Sequence, residues 1–454
     1  MTAATAKLSW PITAIAAAGI AFFAACYYPG AMSLDSAVIW SQARGAPSTN
    51  IYGAGLRWLW QLTDPVWSGP APLFLIQLAL FWTGLGLIAR ALTCGLIGRI
   101  FFLLAAAFAP VVFVLLAHVW SDVMLLAALA FAVGALLRWR DTARAGWLAA
   151  FWLSLTFAAV LRHNVLAAIV PLVAYAVWLW LKSRAIPPTR MRVGLILGTL
   201  VLGFGLHVVG MLSTQSAQRR FTLWPAVAMW DLAAVSIDAG EVLLPTETRK
   251  PELSLEDLRA AYVPYSNVPV FTATQGRVIG PFFLSSDPVN ATLREAWAEA
   301  VSNRPAAYLA HRWRLTLALF GTKPRDWPHE LVYVDNELAF ANNPPIAANR
   351  SAWHATAIRV AEALRDTPAL APWPYLLLGL AAVAVAWRRR AHANAQAALA
   401  VLASGLAYAA PLPLIAPSAE LRYLGWSCLA VVIGTGLALT TTPQRPAEGN
   451  APNC

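Results

Sequence analysis

The stretch WPITAIAAAGIAFFAACYYPGAMSLDSAVIW, Trp10 to Trp40, joins a long apolar run to a segment that opens with an acid. The run Trp10–Tyr27 carries no charged residue and is long enough to cross a bilayer as one helix. Asp35 and Ser36 follow it at the start of a second apolar pattern. This order predicts a membrane helix whose end presents a carboxylate at the membrane surface.

The composition extends the same interpretation to the whole chain. Of its 454 residues, 59% are apolar and only 12% are charged, and the mean hydropathy is +0.58. Soluble proteins are about one quarter charged. We therefore predict an all-α polytopic membrane protein with about ten membrane-spanning helices. Their approximate ranges are 9–28, 70–92, 98–117, 121–137, 146–161, 164–181, 193–213, 373–387, 394–414 and 421–440.

The distribution of positive charge predicts the orientation. With both termini in the cytoplasm, the inner segments carry 14 Lys and Arg residues against two acids, whereas the outer segments carry 19 against 20. This agrees with the rule that positive residues stay inside. The net charge of +11 is then a topology signal, and we expect no nucleic-acid partner.

These spans divide the chain into three parts. Residues 1–213 form a seven-span module, whose first outer loop, 29–69, is expected to contain two short interfacial helices. Residues 214–372 form a small outer domain, in which 303–321 reads as an interfacial amphipathic helix. Residues 373–454 form a three-span module with a cytoplasmic tail. The four cysteines lie far apart and show neither a metal-binding spacing nor a disulfide framework.

Polar residues recur at the outer ends of the predicted spans, where charged groups are costly unless paired or used. Each has a purely structural alternative, such as helix capping for Asp122 or a local pair between Arg422 and Glu420. Their occurrence on one face favours a functional site. They are Asp35; Asp122 in HVWSDVML; Arg162, His163 and Asn164 in LRHN; and Glu420, Arg422 and Tyr423 in SAELRY.

Taken together, these motifs resemble the GT-C superfamily of membrane glycosyltransferases, which use polyprenyl-phosphate-linked sugars. The resemblance rests on YPG-x-M-S-x-D-S in the first outer loop, W-x-D after the third span, the R-H-N turn and a late R-Y. It covers the first seven spans best and is weaker over 214–372. The individual motifs are short.

The resemblance implies roles for these residues. Asp35 would be the general base of an inverting transfer, and Asp122 would orient the acceptor or hold a divalent cation, Mg²⁺ or Mn²⁺. Arg162, Arg422 and His163 would receive the lipid phosphate. Ser36, Asn164 and Tyr423 are further substrate-binding candidates in the same motifs, as are Arg312 and Lys323 in the outer domain. Asp35, Asp122 and Glu420 offer oxygen ligands for a cation, although the first loop has no D-x-D.

The resemblance therefore predicts an enzyme that moves a sugar from a polyprenyl-phosphate carrier to an envelope acceptor, at the periplasmic face of a bacterial inner membrane. The acceptor could be lipid A, a polysaccharide, a polymer or a protein. Alternatives are a transporter or flippase, a polymerase or ligase of lipid-linked glycans, and a non-catalytic scaffold for envelope assembly. The absence of an internal repeat and the presence of an outer domain, which transport does not need, favour the enzyme over the transporter.

Overall fold

The structure is a computed structural model that describes residues 10–162, 164–184, 186–272, 287–322, 340–347, 349 and 351–440. Within these ranges the regular secondary structure is helical, and extended pairing is limited to isolated bridges. The α-helices are α1 Trp10–Tyr27, α2 Leu34–Ala43, α3 Ala54–Thr63, α4 Ala71–Ala91, α5 Leu96–Ala107, α6 Pro110–Leu115, α7 Ser121–Thr142, α8 Ala145–Leu161, α9 Leu166–Ser183, α10 Pro188–Gln215, α11 Pro225–Ala239, α12 Leu255–Ala261, α13 Val268–Thr272, α14 Asp287–Asn303, α15 Pro305–Leu319, α16 Ala352–Leu364, α17 Pro372–Arg388, α18 Ala393–Ala409, α19 Leu412–Ile415 and α20 Gly425–Leu439.

Seven helical segments in the described part of the chain are long and apolar enough to cross a membrane. They confirm the prediction of a helical membrane protein, while the number of ten spans stays a prediction. The predicted span at 98–117 is divided in the structure, because Pro110 begins a new helix after α5. Proline lacks the N–H that a continuous helix would need at this point. The predicted spans at 146–161 and 373–387 correspond to helices of 17 residues.

Helix α7 lies at the centre of the apolar core and packs against α4. The two helices approach closely at Gly84 and Gly134, where an added Cβ on Gly84 would lie 2.6 Å from the backbone carbon of Ala130. Small residues permit this approach in membrane helices, where packing replaces the hydrophobic effect as the main attraction. By contrast, only 11% of the apolar window of α10 is buried, which leaves that helix at the periphery.

The C-terminal helices pack onto the N-terminal ones through short polar contacts. The Ser404 hydroxyl on α18 donates to the Ala168 carbonyl on α9 at 2.5 Å and accepts from Trp426 Nε1 at 3.0 Å. Hydroxyl-to-carbonyl bonds of this kind satisfy buried polar groups between membrane helices. They bring the start of α20, and the residues just before it, to the end of α8 and the start of α7.

Candidate functional site

Backbone pairing between two loops brings the first acid to the second. Ala31 N donates to the Ala117 carbonyl at 2.8 Å, and Val119 N donates to the Ala31 carbonyl at 3.0 Å. The start of α2 therefore lies beside the start of α7. Asp35 is in the first turn of α2 and Asp122 is in the first turn of α7.

Two serines of α2 strengthen this contact. Ser33 is at the N-cap position of α2, but its hydroxyl does not cap the helix. It accepts a hydrogen bond from Trp120 Nε1 at 2.7 Å instead. The Ser36 hydroxyl is buried and donates to the Val119 carbonyl at 2.7 Å. The structure thus gives Ser36 a bond within the protein and holds α2 against the segment that precedes Asp122.

The Asp35 carboxylate has a partner on each oxygen. Arg422 Nη1 lies 2.6 Å from Oδ2, and the Tyr52 hydroxyl donates to Oδ1 at 2.9 Å. Burial alone would raise the pKa of Asp35, but the charge and hydrogen bond of Arg422 and the bond from Tyr52 outweigh it and lower that pKa below its ordinary value. Asp35 is therefore ionised and weakly basic in this arrangement. Its side chain keeps 32% of its surface exposed, so a ligand can reach it.

Asp122 is the more buried of the two acids, with a side chain that is 3% exposed. Arg162 Nε lies 3.2 Å from Oδ1, and Arg422 Nε lies 4.0 Å from Oδ2. Neither oxygen accepts a hydrogen bond from a residue within the described ranges. The carboxylate thus lies between two positive charges, and both of its oxygens are buried without a hydrogen bond from the described residues.

Arg422 contacts all three acids of the group. Besides Asp35 and Asp122, its guanidinium contacts Glu420 in a short ion pair. Its Cζ also lies 5.0 Å from the centre of the Trp120 ring, a cation–π distance. One arginine therefore joins residues from the first loop, from α7 and from the segment before α20.

Glu420 is fixed on its other side by Ser418 and Tyr423. The Ser418 hydroxyl donates to Glu420 Oε1 at 2.7 Å, and the Tyr423 hydroxyl donates to the same oxygen at 3.2 Å. Burial would raise the pKa of Glu420, but the charge of Arg422 outweighs it and lowers that pKa. The acid is thus ionised and serves to orient Arg422.

Arg162 completes the group at the end of α8. Its Cζ lies 5.8 Å from the Tyr423 ring, opposite its contact with Asp122. It also lines a narrow cleft between α9 and α10, whose wall includes His207. The cleft has a volume of only about 10 Å³, and the peripheral helix α10 forms one of its walls.

We call the five residues Asp35, Asp122, Arg162, Glu420 and Arg422 the charged site. The structure brings all five together, with Tyr423 beside them. Asn164 lies close by and hydrogen-bonds Tyr408. His163 and Lys323 lie outside the described residues.

The structure places Arg312 in different surroundings from those that the interfacial interpretation of 303–321 gave it. Its side chain is only 3% exposed and lies 2.7 Å from Asp231, whereas Leu309 and Trp313 on the same helix are exposed. The guanidinium is therefore paired inside the protein in this arrangement, and its role in substrate binding stays a prediction. His311, on the same helix, is buried in the same group.

The three acids of the charged site do not fit a divalent cation as they stand. Arg422 contacts each of them, so its guanidinium occupies the position between the carboxylates. In the described ranges no three His, Cys, Asp or Glu side chains are placed to share a metal ion. Cation ligands need free oxygens facing one point, and we therefore derive no step through a metal.

The charged site is identified by its charges, not by a large cavity. A cavity of about 610 Å³ does exist, but apolar, aromatic and proline residues make up most of its wall. The cavity touches α2 through Trp40, whereas none of the five charged residues lines it.

Sequence reasoning missed several partners of these residues. Tyr52 has no sequence signal beyond its place in the predicted first outer loop, and His207 is one histidine within an apolar helix. Trp120 belongs to the quoted W-x-D motif, yet only the structure shows its ring under Arg422. Comparison with protein-family models, with curated proteins and with solved structures gives no match in any of the three.

Proposed function

We propose that this protein is an integral membrane glycosyltransferase that moves a sugar from a polyprenyl-phosphate donor to an envelope acceptor at the outer face of the inner membrane. One observation carries the proposal: two arginines alternate with three carboxylates at the ends of apolar helices. A phosphate that stays attached to a lipid needs cations at this depth. An acceptor hydroxyl needs a carboxylate beside them.

The arginines suit the phosphate of such a donor. A guanidinium presents a planar fork of donors that matches phosphate oxygens. Arg422 and Arg162 both contact Asp122, so their positive charges lie within one side chain of each other. Charge that develops on the departing phosphate would be stabilised by donors already in position, which is commonly the largest single catalytic effect.

Phosphate binding would also activate Asp35. In the described arrangement Arg422 lowers the pKa of Asp35 and makes it a poor base. A phosphate that takes hydrogen bonds from Arg422 would weaken its pairing with Asp35 and so raise that pKa. Donor binding would thereby prepare the base, and without donor Asp35 would stay paired.

In the proposed reaction one bond forms and one bond breaks at the anomeric carbon of the sugar. The acceptor oxygen forms a bond to the anomeric carbon while the bond from that carbon to the phosphate oxygen breaks. The acceptor proton passes to Asp35, and the electron pair of the broken bond stays on the lipid phosphate, beside Arg422 and Arg162. Attack opposite the leaving group inverts the configuration at the carbon. Asp122, whose oxygens accept no hydrogen bond from the described residues, would orient the acceptor.

The position of Arg162 supports a donor that enters from the lipid. The cleft that it lines runs between α9 and the peripheral α10. The cleft itself has a volume of only about 10 Å³, so a polyprenyl chain would lie on the apolar surface of α10 rather than inside it. An ionisable residue such as His207 within a membrane helix is a candidate for function on the same grounds.

The test is transfer of labelled sugar in membranes supplied with extracted polyprenyl-phosphate sugars and an envelope acceptor mixture. Wild type is compared with Asp35→Asn and with Asp64→Asn, a matched control from the same loop that pairs with Arg44. We expect transfer by wild type and by Asp64→Asn, and none by folded Asp35→Asn. Equal transfer by all three would remove Asp35 from the mechanism. Lipid movement across vesicles without any transfer would support the transporter instead.

A further inference from the structure

A second group of charges is buried away from the charged site, between α11 and α15. Asp231 on α11 is 1% exposed, and His311 and Arg312 on α15 are 1% and 3% exposed. Arg312 Nη2 lies 2.7 Å from Asp231, Trp297 Nε1 donates to it at 2.9 Å, and His311 Nε2 lies 3.2 Å from it. Burying such charges is costly unless they are paired.

Arg312 reaches beyond this group with its second nitrogen. Its Nη1 donates to the Ala416 carbonyl at 3.1 Å, and Ala416 is itself buried. In the chain, Ala416 precedes Glu420 by four residues and Arg422 by six. One terminal nitrogen of the guanidinium thus binds Asp231, and the other binds the segment that leads into the charged site.

The same segment is bound at two further points by residues that follow α12. Ala419 N donates to the Tyr265 carbonyl at 2.8 Å, and Asn267 N donates to the Pro417 carbonyl at 3.1 Å. The pair formed by Ser266 and Ser418 lies between these two bonds as an antiparallel bridge. Because 416–420 is not helical, its backbone groups need partners from elsewhere, and the outer segment supplies them.

We propose that Arg312, held by Asp231, is a positioning residue that fixes the 416–420 segment and thereby sets where Glu420 and Arg422 stand relative to Asp35 and Asp122. Arg312 touches none of the reacting groups in this scheme. The placement itself is independent of the reaction, and only its effect on sugar transfer rests on the proposed function.

Stability alone does not explain the pair. Replacing a buried ion pair by apolar residues of similar size is often neutral or stabilising, whereas removing one partner leaves an unpaired buried charge. What an apolar pair cannot supply is the donor for the Ala416 carbonyl. The role of Arg312 can therefore be separated from its contribution to stability by removing both charges at once.

The experiment compares the full chain in detergent micelles with Arg312→Met, Asp231→Asn/Arg312→Met, Arg312→Lys and the control Trp297→Phe. Thermal unfolding and amide hydrogen exchange over 413–424 are measured on each. We expect Arg312→Met to unfold at a lower temperature and the double variant to recover most of that loss. Exchange at Ala419 should rise at least about tenfold in both, which corresponds to about 1.4 kcal/mol of lost protection.

Two further variants complete the test. Arg312→Lys keeps a charge beside Asp231 but lacks the second terminal nitrogen that binds the Ala416 carbonyl. It should therefore unfold near the wild-type temperature and still exchange faster at Ala419. Trp297→Phe removes another donor to Asp231 and should leave exchange at 416–420 unchanged. The proposal is overturned if the double variant and Arg312→Lys both exchange like wild type. No substrate enters these measurements, so failure of the proposed function would leave their outcome intact.

Discussion

Arg422 Nη1 lies 2.6 Å from Asp35 Oδ2, although 387 residues separate the two in the chain. The contact joins the first loop of the protein to the start of its last described helix. It also places a cation against the acid that we propose as the base. The same guanidinium that holds Asp35 ionised must therefore release it, at least in part, before Asp35 can take a proton.

We expect loss of Arg422 to abolish most of the transfer activity. Arg422→Gln should lower kcat by about 10²–10³-fold, the effect of removing one preorganised donor at developing negative charge. Arg422→Lys keeps the charge but lacks the fork, so it should recover only part of that loss. The measurement is steady-state transfer of labelled sugar by variants that unfold at the wild-type temperature.

Arg44→Gln provides the matched control for these variants. Arg44 also pairs with an aspartate of the first loop, at 2.5 Å, but that partner is Asp64. Surface pairs of this kind contribute little to stability. Transfer by Arg44→Gln should match wild type. A comparable loss there would mean that any disturbance of the loop stops the enzyme, and Arg422 would lose its special role.

The pH dependence should differ between free and donor-bound protein. In the free protein Arg422 lowers the pKa of Asp35, so kcat/KM should fall only at a pH below the ordinary value of about 3.9. In the donor complex the phosphate engages Arg422 and the pKa of Asp35 rises, so the acid limb of kcat should lie at higher pH. Both limbs fall toward low pH, because protonated Asp35 cannot accept the acceptor proton.

This difference is checked by measuring rate profiles between about pH 3 and 8, with donor varied at saturating acceptor. The acid midpoints of kcat and kcat/KM are then compared with the pKa of a free aspartate carboxyl. In Arg422→Gln the two midpoints should lie closer together, since the guanidinium that pairs with Asp35 is absent from both states. Coincident midpoints in wild type would contradict the idea that donor binding activates the base.

The general class of the protein and most members of the charged site could be predicted from sequence. Uninterrupted apolar runs identify membrane helices, since a charge in the bilayer is costly. The same cost makes acids and arginines at span ends informative, and it predicts a site that contains Asp35, Asp122, Arg162 and Arg422. The sequence pattern alone does not predict which residues pair. Arg422 contacts three acids because helices that are far apart in the chain pack together.

Helix α15 shows where such reasoning stops. The segment 303–321 reads as an amphipathic helix, and the sequence suggested that its basic face meets lipid headgroups. In the structure Arg312 is buried and Trp313 is exposed. The deciding residue is Asp231, which lies 81 positions earlier and has no sequence relation to α15. A buried counter-charge allows Arg312 to face inward on the same helix as the buried Leu315 and Leu319.

The glycines between α4 and α7 permit a stability prediction with a built-in control. An added Cβ at Gly84 would lie 2.6 Å from the Ala130 carbonyl carbon, whereas at Gly86 its nearest neighbour would be 3.8 Å away. We expect Gly84→Ala to destabilise the protein by about 1–3 kcal/mol, as overpacking does. Gly86→Ala should stay within about 0.5 kcal/mol of wild type. Thermal unfolding in detergent distinguishes the two, and equal midpoints would show that α4 and α7 are not packed as described.

His207 offers a test of where the lipid donor enters. It lines the cleft beside Arg162, on a helix whose other side chains face mainly outward. If it bonds the donor phosphate, His207→Leu should raise the donor KM by at least about tenfold, the cost of one hydrogen bond to a charged group. The acceptor KM should not change, because Asp35 does not line that cleft. Phe204→Leu, at a position that is 67% exposed on the same helix, is the control and should leave both constants unchanged. If the donor KM of His207→Leu equals that of wild type, or if both constants rise together, the donor does not reach Arg162 by this route.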